Sequence, residues 1–301
     1  PLYLDRQWWV EFKRKVYNLE NKYPPLKRPI KLEKPEAPIL RKGDPSSVSY
    51  TEKEIKEMEK ICEEWIEEEG IPFATLIARK GIIVFHRAYG ILPNGEKMTI
   101  ETPRRLASIT KMLTGCLMME FIDQGLVEID APVSKYLPEF NQPVERPITI
   151  RNLFTHTSGL WGHGTWGADW CHNLENKIAH YYPFLKVAKA RVYGGIGHAL
   201  GGKIMERISG RCVPYLFQER LFEPLGARNV FIEDTGGGAQ ATAYDIALVA
   251  QMMLNKGTYG EYRFFSEESY EKMLPIDLTK FYPGLNFERK YWGFSIVYWT
   301  H

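Results

Sequence analysis

Hydrophobic residues recur every three or four positions in several stretches of this chain, which is the spacing of one helix face. The clearest stretch is 51–69. Thr51 and Glu54 form a capping box at its start, and Gly70 follows it as a stop signal. Further helices are predicted at 214–226, 242–254 and 266–274.

Other stretches have the composition of strands. Residues 71–79 and 82–89 are rich in β-branched and aromatic residues, and Lys80-Gly81 lies between them. This arrangement predicts a β-hairpin with a tight turn. Residues 291–299 predict one more strand near the end of the chain. A helix followed by a hairpin is a typical opening of an α/β domain.

The first 50 residues differ in character from the rest. Trp8, Trp9 and Phe12 belong to one short predicted amphipathic helix, and the Pro/Lys/Glu-rich stretch that follows it predicts a linker or a wrapping arm. Adjacent tryptophans bury a large apolar area when they dock. We therefore expect this helix to pack on the body of the protein or on another subunit.

One helix is apolar on nearly every side. It runs from Ser108 to the stop signal Gly125, and its pattern predicts burial in the centre of the protein. Ser108 and Lys111 lie three residues apart at its start, so their hydroxyl and amine share a face. A serine is a weak nucleophile until a base accepts its proton, and burial can lower the pKa of a lysine enough to make it that base. The spacing alone also fits a chance pair on an ordinary helix.

Composition narrows the class of protein. The 301 residues are 44% hydrophobic and 25% charged, which fits one large or two modest globular domains. Lys and Arg number 39 against 37 Asp and Glu, and no basic cluster suggests nucleic-acid binding. No apolar run approaches the ~20 residues that span a bilayer. The four scattered cysteines fit neither a zinc site nor a dense disulfide framework.

The histidines and glycines between 156 and 202 invite two cofactor hypotheses. His156, His163 and His172 lack the spacing of a zinc motif, so turn-stabilising and rim positions are favoured. The glycines that follow Tyr193 do not form a phosphate-binding pattern and better fit close helix packing. The sequence therefore predicts neither a metal nor another cofactor. Tyr193 by itself fits a core position better than a site.

A loop rich in glycine and aromatic residues occupies 161–172. Irregular segments of this kind commonly line pockets. We expect Trp166 and Trp170 to wall a substrate cavity there.

Five ordered stretches together resemble the serine β-lactamase and penicillin-binding-protein superfamily, in the branch with class C β-lactamases, D,D-carboxypeptidases, D-aminopeptidases and esterases. They are Ala107–Lys111, Asp130–Pro138, Leu153–Leu160, Tyr193 before a Gly-rich helix, and Thr242–Asp245 before another helix. The resemblance covers the chain from about Thr51 onward.

The resemblance implies roles for individual residues. Ser108 is the acylated nucleophile, Lys111 is the base or proton relay, and Tyr193 shares protons with the lysine and the leaving group. The usual Tyr-x-Asn motif is Tyr193-Gly194-Gly195 here, and the missing amide normally hydrogen-bonds the lysine and the substrate. His301 stands where the last family motif begins, or is merely the terminal residue.

The resemblance also implies an α/β fold in which an antiparallel sheet is flanked by helices and joined to an all-helical subdomain. Residues 1–50 are then an extension, 51–98 and about 285–301 the α/β part, and about 99–284 the mainly helical part. The resemblance implies that the family's C-terminal strands lie outside residues 1–301. We expect them in the remainder of the same polypeptide or in a second chain docked beside 291–299, and a homo-oligomer stays open.

The function implied is a serine hydrolase that works through an acyl-enzyme on a small-molecule or peptide ester or amide. Because the amide at position 195 is absent, an esterase or a D-amino-acid peptidase or amidase is favoured over a β-lactamase. The alternative is a non-catalytic relative that binds a ligand or assists assembly.

Overall fold

The computed structural model of the chain describes residues 2–27, 29–141, 145–160, 171–180, 186–284 and 291–297. Its α-helices are α1 (Leu2–Val16), α2 (Glu52–Glu69), α3 (Thr110–Asp123), α4 (Ile150–Phe154), α5 (Leu174–Ala179), α6 (Ile196–Ser209), α7 (Val213–Phe217), α8 (Glu223–Leu225), α9 (Ala243–Leu254) and α10 (Glu267–Met273). Its strands are β1 (Ile30–Lys31), β2 (Arg41–Lys42), β3 (Phe73–Arg79), β4 (Ile82–Tyr89), β5 (Arg104–Arg105), β6 (Val230–Ile232), β7 (Ala239–Ala241), β8 (Thr258–Tyr259), β9 (Tyr262–Arg263), β10 (Ile276–Asp277) and β11 (Tyr291–Trp292).

The predicted helix and hairpin form as the sequence indicates. The Thr51 side chain accepts from the N–H of Glu54, and the Glu54 carboxylate accepts from the N–H of Thr51, so the capping box starts α2. β3 and β4 pair antiparallel, and the turn between them places Lys80 and Gly81 at φ 51° and 78°. Positive φ at both central residues suits the twist of a two-residue hairpin turn. β2 adds to the other edge of β4, giving the order β2-β4-β3.

The centre of the molecule is the predicted apolar helix. In α3, Leu113, Leu117 and Phe121 are fully buried. Side chains of α4, α6, α7 and α9 belong to the same core cluster. Because α3 has core on nearly every side, the residues at its first turn are held with little freedom.

None of the helices in the described ranges combines the length and the apolar character that a bilayer crossing requires.

The glycines of α6 permit close packing, as predicted. A Cβ at Gly197 would lie 2.8 Å from the carbonyl carbon of Leu153 in α4. A Cβ at Gly201 would lie 2.5 Å from the Phe154 ring. These distances are much shorter than an ordinary van der Waals contact. Only glycine at these positions therefore allows α4 and α6 to approach so closely.

The predicted strand 291–299 is wrong in extent. Only Tyr291–Trp292 is extended among its described residues, and it pairs with β10 instead of with the hairpin sheet. Two residues explain the early end. Gly293 lies against the backbone of Met273, and Ser295 has φ 66°. A left-handed residue ends an extended strand, so the segment turns and stacks the Phe294 ring on that of Phe154 at 4.1 Å.

α1 docks on the body of the protein mainly through charges. Arg6 pairs with Glu206 at 3.0 Å and Lys13 pairs with Glu175, and both carboxylates are buried. Trp9 stacks on His172, with ring centroids 4.7 Å apart. Val10 is also buried, whereas Trp8, Phe12 and Val16 are exposed.

Candidate active site

Ser108 and Lys111 are in contact. Ser108 lies in a 3₁₀ turn (Ala107–Ile109) that leads directly into α3, and Lys111 is in the first turn of that helix. The Lys111 Nζ lies 3.3 Å from the Ser108 Oγ. The serine is exposed and the lysine side chain is buried. An exposed hydroxyl therefore lies in contact with a buried amine.

Lys111 has a second fixed partner that the sequence did not reveal. Its Nζ donates to the backbone carbonyl of Gly236. Burial lowers the pKa of Lys111, and the negative charge of Asp234 opposes that effect. A lowered pKa increases the fraction of neutral amine, which is the form that can accept the Ser108 proton.

The turn that carries Gly236 is built by Asp234. One Asp234 carboxylate oxygen accepts from the N–H groups of Gly236 and Gly237, each at 2.7 Å. Thr114 of α3 donates to the carbonyl of Thr235 at 2.8 Å. The turn and the start of α3 are thereby held together, although 125 positions separate Lys111 from Gly236. The glycines at 236–238 form a tight turn.

The backbone around Ser108 could bind an anion. Ala107, immediately before Ser108, has φ 44°, an uncommon conformation for a residue with a side chain. Among the described residues, none accepts a hydrogen bond from the N–H of Ser108. That N–H and the start of α3 offer positive potential to an oxygen near the Ser108 Oγ.

Tyr193 joins the pair from the segment before α6. Its ring centroid lies 5.0 Å from the Lys111 Nζ, and its side chain is 47% exposed. Gly195 caps α6. A Cβ at Gly236 would lie 3.1 Å from the Cα of Gly195, so the two backbones nearly touch where the family motif has an amide side chain.

Three predicted site residues, Trp166, Trp170 and His301, lie outside the described residues, as does His163. The other two histidines of the metal hypothesis make different contacts. The His156 ring lies beside the Tyr193 ring, and the His172 ring stacks on Trp9. Within the described part of the chain, no group of three His, Cys, Asp or Glu residues could hold a metal ion.

The geometry and the sequence comparisons define the class of this protein. A family-wide profile described as Beta-lactamase matches residues 61–286. That match covers most of the chain, so the chain belongs to the Beta-lactamase family. The fold is the β-lactamase/transpeptidase-like arrangement of helices with small sheets.

Individual relatives refine the comparison. The chain is 38% identical over 92 residues to the Esterase EstB of Burkholderia gladioli, covering 29% of this chain and 24% of that one. It is 27% identical over 213 residues to the Beta-lactamase-like protein 2 of Dictyostelium discoideum, covering 65% and 38%. The chain thus spans well under half the length of these relatives.

The octameric penicillin-binding protein homologue from Pyrococcus abyssi has a similar fold. It superimposes with a TM-score of 0.64 at 20% identity, covering 80% of this chain and 64% of that one. Other relatives are named as acyltransferases and carboxypeptidases. Relatives of these classes agree with a serine hydrolase of this superfamily.

Proposed function

We propose that the protein is a serine hydrolase of the esterase type, working through an acyl-enzyme at Ser108. The observation that carries the proposal is the contact between the Ser108 Oγ and the buried amine of Lys111 at 3.3 Å. The esterase named among the relatives supports the choice of an ester substrate.

The residues suggest the order of the steps. The neutral Lys111 amine accepts the Ser108 proton as Oγ forms a bond to the substrate carbonyl carbon, and the carbonyl oxygen becomes an anion near the Ser108 N–H. When the anion collapses, the bond to the alkoxide leaving group breaks. Tyr193, beside Lys111, passes the proton to that oxygen. Water then attacks the acyl carbon while Lys111 takes its proton. The bond from the acyl carbon to the Ser108 Oγ breaks, Lys111 returns the proton to Oγ, and the carboxylic acid leaves.

The absence of an amide at Gly195 supports esters over β-lactams and peptides. An asparagine there could hydrogen-bond both the lysine and the amide of a substrate. In this chain the Gly236 carbonyl binds the lysine, and position 195 has no side chain that could bind a substrate amide. An ester needs no such partner on its leaving-group side.

Covalent labelling tests the proposal. A fluorophosphonate should add one mass equivalent to Ser108, and Ser108→Ala should abolish both labelling and hydrolysis of p-nitrophenyl acetate. Lys111→Met should slow acylation by about 10²–10⁴, the usual contribution of a positioned base. Ser47→Ala, in the exposed 3₁₀ turn Pro45–Val48, is the matched control and should leave both unchanged. A folded wild-type protein that neither labels nor hydrolyses esters would instead favour the binding or assembly alternative.

We also propose that further polypeptide completes the hairpin sheet, either from the same chain or from a partner. In the described residues β3 pairs with β4 alone, so one edge of its seven residues stays open. α2 has no buried residue, and its Ile61 and Trp65 are each 55% exposed. An open edge beside an apolar face favours association.

Light scattering on residues 1–301 tests this second proposal. We expect self-association that Trp65→Gln reduces. A stable, active monomer of residues 1–301 would refute it. The expected docking place is the β3 edge and not β11, because β11 lies in a different sheet.

A further inference from the structure

His156 is tied to both neighbours of Tyr193. Its backbone carbonyl accepts from the N–H of Val192 at 2.8 Å, and its ring Nδ1 accepts from the N–H of Gly194 at 3.4 Å. Its ring also lies against the Tyr193 ring, with centroids 4.6 Å apart. One residue therefore holds the backbone on each side of Tyr193 and packs against the ring between them.

The conformation of His156 is fixed and costly. Its φ is 60°, and the residue is only 4% exposed. A non-glycine residue in this region persists when its surroundings determine it, and such residues concentrate at functional sites. Here the left-handed conformation lets the carbonyl and the ring of the same residue contact the 192–194 segment.

The His156 ring must be neutral with its proton on Nε2. Burial, together with the positive charges of Lys111 and Arg191, lowers the pKa of His156 to about 3. Because Nδ1 accepts the Gly194 N–H, the single ring proton belongs on Nε2. Protonation would remove the acceptor and add a second cation near the amine.

We propose that His156 is the positioning residue of Tyr193, holding the 192–194 backbone so that the phenol stands beside Lys111. This inference rests on the proposed acyl-enzyme function. His156 acts through Tyr193 and touches no reacting atom. Loss of the Nδ1 acceptor frees the Gly194 N–H and allows the Tyr193 ring to move from the amine.

The consequence depends on the leaving group of the substrate. An alkyl alkoxide is a poor leaving group and needs the proton that Tyr193 passes to it, whereas p-nitrophenolate leaves without one. Misplacement of Tyr193 should therefore slow alkyl esters far more than p-nitrophenyl esters. A purely structural role would lower both rates by one factor, the fraction of folded enzyme.

The experiment compares two variants on two substrates. His156→Phe keeps a ring beside Tyr193 but has no acceptor, and kcat/KM for an alkyl ester should fall about 10²-fold, the scale of a 1 Å misplacement. The p-nitrophenyl ester should lose less than about 3-fold. His156→Asn places an oxygen near the Nδ1 position and tolerates the left-handed conformation. It should restore most of the alkyl-ester rate.

A third variant tests whether His156 acts through Tyr193, and labelling separates failure of this inference from failure of the proposed function. Tyr193→Phe should show the same leaving-group dependence as His156→Phe, and the double variant should lose little more than either. Equal losses on both esters, or no rescue by His156→Asn, would overturn the role of His156. Fluorophosphonate labelling of Ser108 in the same experiment would still support the proposed function. Absence of labelling in the wild-type protein would overturn the proposed function itself.

Discussion

Replacing Gly197 with alanine sets two opposing effects against each other. Alanine has the higher helix propensity, and in a helix interior the exchange stabilises by at most about 1 kcal/mol. In α6, however, the new Cβ would lie 2.8 Å from the carbonyl carbon of Leu153 and closer still to its oxygen. Both atoms are backbone, so relief requires α4 and α6 to separate by about 1 Å, and overpacking of this kind costs about 1–3 kcal/mol or more. We expect a net loss near 2 kcal/mol.

The same helix provides graded controls. A Cβ at Gly201 would meet the Phe154 ring at 2.5 Å, which can tilt, and one at Gly202 would meet two methyl groups at 3.2 Å. At Gly194, before the helix, a Cβ meets nothing within 4 Å. The predicted order of destabilisation is Gly197→Ala, then Gly201→Ala, then Gly202→Ala, with Gly194→Ala within about 0.5 kcal/mol of wild type.

Urea unfolding followed by tryptophan fluorescence measures these differences, and kcat/KM for an alkyl ester measures their effect on the site. α4 leads to His156 and α6 follows Tyr193, so separating the helices should also reduce the alkyl-ester rate by about 10-fold or more. If Gly197→Ala proves as stable as wild type, the gain in helix propensity outweighs the steric cost. The close approach of α4 and α6 would then not be the reason for glycine at position 197.

Three further predictions concern the site and the core. Because Gly195 offers no amide, hydrolysis of p-nitrophenyl esters should be much faster than that of nitrocefin, and comparable rates would contradict this. Since burial lowers the pKa of Lys111 while the Asp234 charge opposes it, acylation should rise with pH and then level, and Asp234→Asn should move the rise to lower pH; an unmoved profile would exclude that coupling. Arg220→Met leaves the fully buried Glu120 without its 2.9 Å partner and should cost about 3–5 kcal/mol, which Glu120→Met in the same chain should largely recover on urea unfolding.

Local signals in the sequence predicted much of the fold. The capping box at Thr51 and the turn at Lys80-Gly81 depend on neighbouring residues only, and both form as expected. Ser108 and Lys111 could be paired for the same reason, because helical geometry alone brings positions three apart together. The glycines of α6 were correctly assigned to packing, since no phosphate-binding pattern competed for them.

Contacts between distant segments account for what the sequence could not predict. The α1 helix packs on the body of the protein as expected, and Trp9 stacks on His172 there. The sequence did not predict that the buried carboxylates of Glu175 and Glu206 also bind its Lys13 and Arg6. The order of residues along α1 does not show where those carboxylates lie. The strand expected at 291–299 ends early because its residues meet α10 and α4, which no local pattern reports.

The most consequential missed group is a backbone carbonyl. Gly236 is one of three consecutive glycines, and its oxygen binds Lys111 only because Asp234 holds the turn and Thr114 holds the turn to α3. A carbonyl accepts hydrogen bonds and cannot donate them, whereas an asparagine amide does both. Under the proposed function, the Gly236 carbonyl takes over the part of the asparagine's role that orients the lysine, and no side chain at position 195 takes over the part that binds a substrate amide.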